Sequence, residues 1–206
     1  IGLGGLGGHG HNDCLSFCLY MGSEPFIIDR GTYTYFSSRK DRDIFRSISS
    51  HNSVQIDSTE PALLGPGLFQ IKNAYPSEIT DWVCNDKVSK IDARYIYFKS
   101  GDVAILHNRK ITLNDNDDIL LTDEILGSDK HRLNWRFFLH PEILPELISS
   151  KKLRLRSAKG SIVEIEVTNN SNFMWEISKT TFSPEDDKRI VEHVKEQGTN
   201  RWKGWL

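Results

Sequence analysis

Two histidines separated by one glycine stand near the start of the chain, at His9 and His11. If this segment is a strand, residues two apart point to the same face, so the two imidazoles would lie side by side. They could then share a metal ion, or one could bind metal while the other faces a substrate. Gly10 between them would let a ligand approach closely. A structural or surface role for the pair remains open on this evidence alone.

An acid and a third histidine follow at the ends of further predicted elements. Asp29 ends the apolar pair Ile27 and Ile28, and an acid at the end of a buried strand is costly unless it is paired, hydrogen-bonded or bound to metal. The alternative is that Asp29 only caps the turn that follows it. His51 precedes Val54–Ile56, where alternation predicts a half-buried strand. Two histidines and one carboxylate are a recognised set of zinc ligands.

The glycine-rich start also invites a nucleotide-binding interpretation, since six of the first ten residues are glycine. A dinucleotide-binding loop needs a strand before it and a helix after it. The sequence shows no strand before this loop, and residues 14–20, which follow it, are predicted to form a strand instead of a helix. The pattern therefore disfavours a nucleotide site.

Composition narrows the class of protein further. The net charge of -2 and the pI near 6.4 give no electrostatic reason to expect nucleic acid or an anionic membrane as a partner. No apolar stretch approaches the roughly 20 residues that a membrane-spanning helix needs. Three cysteines permit at most one disulfide, so cysteine is not expected to carry the fold. The chain begins in mid-motif, and we expect it to be a fragment or a processed piece.

The pattern of short β-forming segments predicts an all-β fold, a large antiparallel β-sandwich occupying residues 1–206 as one domain. Residues 94–106 predict a hairpin, and residues 118–126 and 132–140 repeat the pattern around a Gly-Ser-Asp turn. Residues 152–167 predict another pair of strands. One short C-terminal helix is expected, with Ser183 as its N-cap and Pro184 as its first residue.

Taken together, the chemistry-bearing segments resemble the heparinase II/III-like C-terminal domain in order and spacing, a combination more specific than any one piece. The segments are Gly8-His9-Gly10-His11 with Asp13 and Ser16-Phe17, then Ile28-Asp29 and Gly31-Thr32-Tyr33-Thr34-Tyr35, then Phe45-Arg46-Ser47 and Ser50-His51-Asn52-Ser53-Val54. The likeness extends more loosely through residues 107–113, 123–124 and 135–141. It covers roughly residues 2–141 well.

The resemblance implies a polysaccharide lyase that cleaves uronic-acid-containing glycans by β-elimination. Such enzymes pair an N-terminal α/α toroid, absent here, with a C-terminal β-sandwich, and the active site lies between the two. The resemblance implies that His9 faces the acidic polysaccharide substrate as a catalytic residue. It also implies that His11, Asp29 and His51 hold a zinc ion. Because the general acid/base tyrosine comes from the toroid, the isolated domain is expected to be inactive.

Three further residues are candidates for substrate binding: Tyr33, Asn52 and Arg46. Each has a structural alternative. Tyr33 could pack in the core, Asn52 could order the His51 loop, and Arg46 could form a buried ion pair. A periplasmic or secreted location is suggested by the resemblance alone.

Departures from the family pattern and two rival functions remain open. Arg30 stands where the family usually has proline, and a histidine near Phe137 and Phe138 is displaced or lost. A cupin-like metal enzyme would need a glutamate about four residues after His11, where Leu15 and Ser16 stand. A non-catalytic glycan-binding sandwich would need neither metal nor His9.

Overall fold

The computed structural model describes residues 8–67, 69–98, 104–168, 173–183 and 200–203, with the last four and Phe98 described by their backbone alone. Strands dominate these residues, and every strand pairing is antiparallel. The predicted all-β fold is therefore confirmed. Of the expected C-terminal helix, only Ser183 lies within the described residues, and it is not helical; the remainder lies outside them.

The chain divides into two compact units. The first comprises Ile1–Gly10, Pro61–Gly65 and Phe69–Lys130, and the second comprises His11–Glu60, Pro66–Leu68 and His131–Leu206. The strands of the first unit are β4 (Leu63–Leu64), β5 (Ile71–Lys72), β6 (Ser77–Cys84), β7 (Val88–Phe98), β8 (Ala104–Asn114) and β9 (Ile119–Leu126). Strands β6 to β9 form one sheet in chain order, and β4 pairs with β5. The predicted hairpin is the β7–β8 pair, whose turn lies outside the described residues.

Alternation along β7 and β8 gives this sheet two different faces. Tyr95, Tyr97 and Ile105 are buried on one face, as period-two spacing requires. On the other face Lys90 forms ion pairs with Asp81 and Asp92, across to β6 and along its own strand. Lys90 and Asp92 keep partial access to solvent on this face, which explains why charged residues alternate with β-forming residues in the first half of β7.

The second unit contains the remaining elements in several small sheets. In chain order these are β1 (Leu19–Met21), β2 (Glu24–Ile27), α1 (Arg39–Arg46), a 3-10 helix (Ile48–Ser50), β3 (Val54–Ile56), β10 (Leu133–Trp135), β11 (Ile143–Leu147), β12 (Lys152–Ser157), β13 (Ile162–Glu166), β14 (Glu176–Lys179) and β15 (Asn200–Lys203). The pairs are β1–β2, β3–β10 and β14–β15, and β11, β12 and β13 form a three-stranded sheet.

The β12–β13 hairpin follows the sequence pattern closely. Leu153 and Leu155 are fully buried, while Arg154 between them faces Glu164 of β13. Gly160 in the connecting turn has φ +94°, a conformation that L side chains rarely adopt. The predicted pair of strands at residues 152–167 is thus confirmed.

The partner of β10 differs from the expected one. Residues 132–140 were predicted to continue the hairpin pattern from residues 118–126, yet β10 pairs with β3, more than 70 positions earlier in the chain. Asp57, which follows β3, joins the end of that strand to the start of β10. Its carboxylate accepts the backbone N–H of Arg132 and contacts the His131 ring at 2.8 Å. Strand β3 is buried along its whole length, where alternation predicted a half-buried strand.

Helix α1 was not predicted from the sequence. Ser38 caps its N-terminus by accepting a hydrogen bond from the backbone N–H of Asp41 at 3.2 Å. The helix buries Arg42, Phe45 and Arg46, so the residues facing inward are mostly cationic. Such a face does not resemble the apolar stripe by which amphipathic helices are recognised.

Two further expectations concern cysteine and the membrane. Cys14, Cys18 and Cys84 are all free, so disulfides contribute nothing to the fold. In the part of the chain that the structure describes, no helix is long and apolar enough to cross a bilayer.

Candidate metal and substrate site

His11, Asp29 and His51 lie together in the second unit. The Nδ1 atom of His51 is 2.7 Å from Oδ2 of Asp29, and the ring centroids of His11 and His51 are 5.1 Å apart. His51 is 1% exposed and His11 is 9% exposed, whereas the Asp29 side chain retains access to solvent. The structure therefore brings together the three residues proposed as zinc ligands.

Two elements place the Asp29–His51 pair. Asp29 follows shortly after β2, whose neighbouring residue Ile28 donates its backbone N–H to the carbonyl of Phe138 at 2.8 Å. His51 caps the C-terminus of the 3-10 helix, with its backbone N–H donating to Ile48. A strand end and a helix end, each satisfied by backbone bonds, thus hold the two side chains at hydrogen-bond distance.

The backbone beside His11 is held by its neighbour Asn12. The Nδ2 atom of Asn12 donates to Oε2 of Glu60 at 2.6 Å, and its backbone N–H donates to the carbonyl of Arg46 at 2.8 Å. Glu60 also accepts the backbone N–H of Ile48, at 3.0 Å. The segment that carries His11 is therefore tied to the end of α1 and to the 3-10 helix that carries His51.

The protonation of the site suits a cation. Burial, repulsion from His51 and the nearby guanidinium groups of Arg42 and Arg46 lower the pKa of His11 to about 3, against the attraction of Asp29. Burial is the largest single influence on the pKa of Asp29 and would raise it. The hydrogen bond and charge interaction with His51, the backbone N–H of Gly31 and the attraction of His11 together outweigh burial, so the pKa lies below its usual value. At neutral pH His11 is a neutral imidazole and Asp29 is a carboxylate.

The donor set fits zinc by its chemistry. Two imidazoles and one carboxylate form a known zinc ligand set, and a ligating imidazole must be neutral, as His11 is. The Nε2 atom of His51 is buried and has no hydrogen-bond partner among the described residues. Within those residues, however, no three His, Cys, Asp or Glu side chains are arranged so that they could enclose a metal ion. The structure instead holds the Asp29–His51 hydrogen bond.

His9 does not lie on a strand with His11. Residues 8–11 form bends and irregular backbone, and strand β1 begins only at Leu19, so the expected strand over residues 14–20 is mostly absent. His9 is exposed and belongs to the first unit, where its ring packs against Phe69 with centroids 5.5 Å apart. The argument that the two histidines share one strand face is therefore wrong, because it assumed an extended backbone.

Asn52 is fully buried and engaged by its own protein. Its Nδ2 atom donates to the carbonyls of Phe17 at 2.8 Å and Ile28 at 2.9 Å. Its Oδ1 atom accepts the backbone N–H of Phe138 at 2.7 Å. One side chain thus joins three separate segments around His51, which favours the ordering role over substrate binding.

The other two candidates for substrate binding also have internal contacts. Arg46 is fully buried, with Nη1 4.0 Å from Asp43. Tyr33 has φ +66° and packs its ring against Phe45 at 5.4 Å. Residues 31–37 are not a strand, so Tyr33 and Tyr35 do not share a strand face. Tyr35 instead stacks under the guanidinium of Arg42, at 4.6 Å.

Sequence reasoning missed three residues that shape this site: Glu60, Arg42 and Arg30. Glu60 lies outside every recognised segment, and only the folded chain brings it to Asn12. A pattern search had one usable signal for Arg42, since Ser38 and Asp41 have the spacing of a capped helix start. Arg30 was noticed only as a departure from the family pattern.

Comparison with known proteins identifies the family. The model of the heparinase II/III-like C-terminal domain matches residues 1–202. The chain belongs to this family. No curated protein sequence matches the chain.

Solved structures share the fold at low sequence identity. A heparan sulfate lyase, HepC from Pedobacter heparinus, superposes with a TM-score of 0.78 at 13% identity, covering 96% of this chain and 28% of that one. A heparinase III gene product gives 0.74 at 16% identity, with 95% and 27% covered. Another heparinase III gives 0.72 at 16% identity, with 96% and 28% covered. This chain therefore spans less than a third of the length of the structures it matches.

Proposed function

We propose that this chain is the C-terminal domain of a polysaccharide lyase that cleaves uronic-acid-containing glycans by β-elimination. In this proposal His9 contributes to catalysis, and His11, Asp29 and His51 hold a zinc ion. The observation that supports this proposal is that the side chains of His11, Asp29 and His51 lie close together, with Oδ2 of Asp29 2.7 Å from Nδ1 of His51. Membership of the family supports the class of reaction.

The chemistry of β-elimination places three demands on the whole enzyme. The uronate carboxylate must be neutralised so that the C5 proton becomes acidic, a base must take that proton, and an acid must protonate the leaving glycosidic oxygen. A histidine can serve as base or as hydrogen-bond donor near neutral pH. His9 is exposed, so a glycan can reach its ring, whereas His11 and His51 are buried and serve as ligands.

A zinc ion held here would supply positive charge and rigidity to the loops around it. The residues that would hold it are His11, Asp29 and His51. Their backbone segments are tied together by Asn12, Glu60 and Asn52, so the protein itself orients the ligands. We assign the zinc to support of the loop that carries His9, two residues before His11.

The domain is proposed to act with a further domain of the same protein. Because the chain spans less than a third of its solved relatives, the remaining catalytic groups are assigned to the missing part, an N-terminal α/α toroid. The isolated domain would then fold and bind zinc but would not cleave an acidic polysaccharide.

Elemental analysis of purified protein tests the zinc assignment. About one zinc per chain is expected, with loss of zinc in His51→Ala and retention in His140→Ala, which changes a half-buried histidine outside the proposed ligand set. Full-length protein should then release products with unsaturated-uronate absorbance, and His9→Ala should abolish that release. Absence of zinc from native protein after reconstitution would reject the metal assignment.

One observation favours a second candidate, a non-catalytic glycan-binding sandwich. The Asp29 carboxylate already forms a hydrogen bond with Nδ1 of His51 without a metal. In that case His9→Ala would leave both glycan affinity and the activity of the full-length protein unchanged.

A further inference from the structure

We infer that Arg30 is a positioning residue that sets the geometry of the Asp29–His51 pair by holding the backbone segments beside it. Arg30 follows Asp29 in the chain and reaches Ser50, the residue before His51. Its guanidinium therefore connects the two backbone segments from which the paired side chains project. This inference rests on the proposed function only in taking Asp29 and His51 as part of the site.

The guanidinium of Arg30 lies over two aromatic rings. Its Cζ atom lies 4.6 Å from the centroid of Phe45 and 5.2 Å from that of Phe138. Arg30 is only 6% exposed. Contact with two rings limits the movement of the guanidinium, whose N–H donors point along the edges of its plane.

The N–H groups of Arg30 donate hydrogen bonds to two separate segments, at Ser50 and at Thr181. The Nη1 atom donates to Oγ of Ser50 at 2.7 Å. The Nε atom donates to the carbonyl of Thr181 at 2.7 Å, and Nη2 donates to its hydroxyl at 3.1 Å. The Ser50 hydroxyl in turn donates a hydrogen bond to the carbonyl of Ile44. One planar group thus holds the end of α1, the 3-10 helix and a segment that follows β14.

The segment after β14 is pressed against the same backbone. Ser183 donates its backbone N–H to the carbonyl of Arg30 at 2.8 Å. A Cβ atom on Gly31 would lie 2.1 Å from the Ser183 carbonyl oxygen, and Gly31 has φ +79°. The backbone N–H of Gly31 in turn donates to Oδ1 of Asp29 at 2.8 Å. The contact with residues 181–183 therefore continues directly to the carboxylate of the pair.

A role confined to stability would predict a different outcome from a positioning role. Thr181 lies more than 120 positions from His51 in the chain, and it is connected to the pair through the two hydrogen bonds that it accepts from Arg30. If Arg30 positions the pair, removing the Thr181 hydroxyl must change the Asp29–His51 hydrogen bond. If Arg30 only stabilises the fold, the hydrogen bond keeps its strength while the melting temperature falls.

The test measures the His51 ring proton in metal-free, nitrogen-15-labelled protein at one neutral pH. Its exchange with water reports the strength of the hydrogen bond to Asp29, and His51→Gln assigns the signal by removing it. We expect exchange to be roughly tenfold faster in Arg30→Lys and in Ser50→Ala, since each removes a charge-assisted hydrogen bond. We expect it to be about threefold faster in Thr181→Val, which loses the weaker of two contacts. The double variant Arg30→Lys/Thr181→Val should resemble Arg30→Lys alone.

Arg109→Lys provides the matched control, since it alters another buried arginine, in the first unit. It should lower the melting temperature and leave the His51 exchange rate unchanged. Exchange rates within twofold of native in Ser50→Ala and Thr181→Val would overturn the inference, even if Arg30→Lys fails to fold. Because no zinc and no glycan are present, this result is independent of whether the proposed function holds.

Discussion

The Oδ2 atom of Asp29 lies 2.7 Å from Nδ1 of His51, where the end of β2 meets the end of the 3-10 helix. Removing the negative charge of Asp29 separates its contribution to stability from its contribution to zinc binding. In Asp29→Asn we expect the metal-free protein to lose about 1 kcal/mol of unfolding free energy, because a charge-assisted bond becomes a neutral one at a partly exposed position. Zinc content should fall from about one per chain to near zero, measured by elemental analysis.

Asp13→Asn is the control for this change, since Asp13 is an exposed acid two residues from His11. It should retain both the zinc and the stability. Retention of a full zinc equivalent in Asp29→Asn would contradict the ligand assignment.

Truncation of Asn52 tests whether this residue orders the site or binds substrate. Asn52→Ala leaves the carbonyls of Phe17 and Ile28 and the N–H of Phe138 without their side-chain partner. We expect a loss of about 2–4 kcal/mol in unfolding free energy, measured by denaturant titration. Asn108→Ala, which removes one exposed bond to Glu124, should lose less than about 1 kcal/mol. A stable Asn52→Ala protein would instead favour a role in substrate binding.

The first unit contains a buried ion pair that can be tested against an exposed one in the same sheet. Arg109 donates to both oxygens of Asp123, at 2.7 and 2.8 Å, and both side chains are 3% exposed. In Arg109→Met the carboxylate stays buried without its cation, and we expect a loss of about 3–5 kcal/mol. Arg94→Met breaks the exposed pair with Glu78 and should lose about 0–1 kcal/mol.

The double variant Arg109→Met/Asp123→Leu distinguishes a lost attraction from an uncompensated charge. It should recover much of the stability, because no charge is then left buried. A loss as large as that of Arg109→Met alone would contradict this explanation.

Stability should fall in acid because a buried histidine must gain a proton. Burial lowers the pKa of His107 from its usual 6.5, despite its 2.7 Å contact with Asp123. The Nδ1 atom of His107 has no hydrogen-bond partner among the described residues, so the added proton would be unsatisfied. Since the folded pKa lies below the unfolded one, the stabilisation is present above pH 6.5 and is lost as the pH falls below it.

Thermal unfolding of metal-free protein between pH 7 and pH 4.5 measures this effect. The expected slope is at most about 1.4 kcal/mol per pH unit for each such group, and His11 contributes in the same direction because its pKa is lowered to about 3. In His107→Gln the slope of unfolding free energy against pH should be smaller by the contribution of one titrating group. An unchanged slope in that variant would show that His107 does not titrate in this range.

Local patterns were enough to predict two of the hairpins. Residues 94–106 are rich in β-forming side chains on either side of a glycine-containing turn, and residues 152–167 alternate between apolar and polar side chains. Because adjacent strands joined by short turns pair with each other, these patterns predicted the β12–β13 pair and the part of the β7–β8 pair next to its turn. The types and order of His11, Asp29 and His51 were likewise sufficient to predict three side chains that the structure brings close together. This was possible because imidazole and carboxylate, with thiolate, are the usual protein ligands of zinc, so such residues can be sought in a sequence.

The tertiary structure alone decided how those residues are held. The pairing of β10 with β3 and the contact of Asn12 with Glu60 join segments far apart in the chain, and the cations on α1 are buried by the chain that folds around the helix. No local periodicity encodes such contacts, since they depend on which surfaces the folded chain brings together. The same reason explains why Arg30 could be recognised in the sequence only as a departure from the family pattern. In the folded chain its guanidinium lies over the rings of Phe45 and Phe138 and donates a hydrogen bond to Ser50.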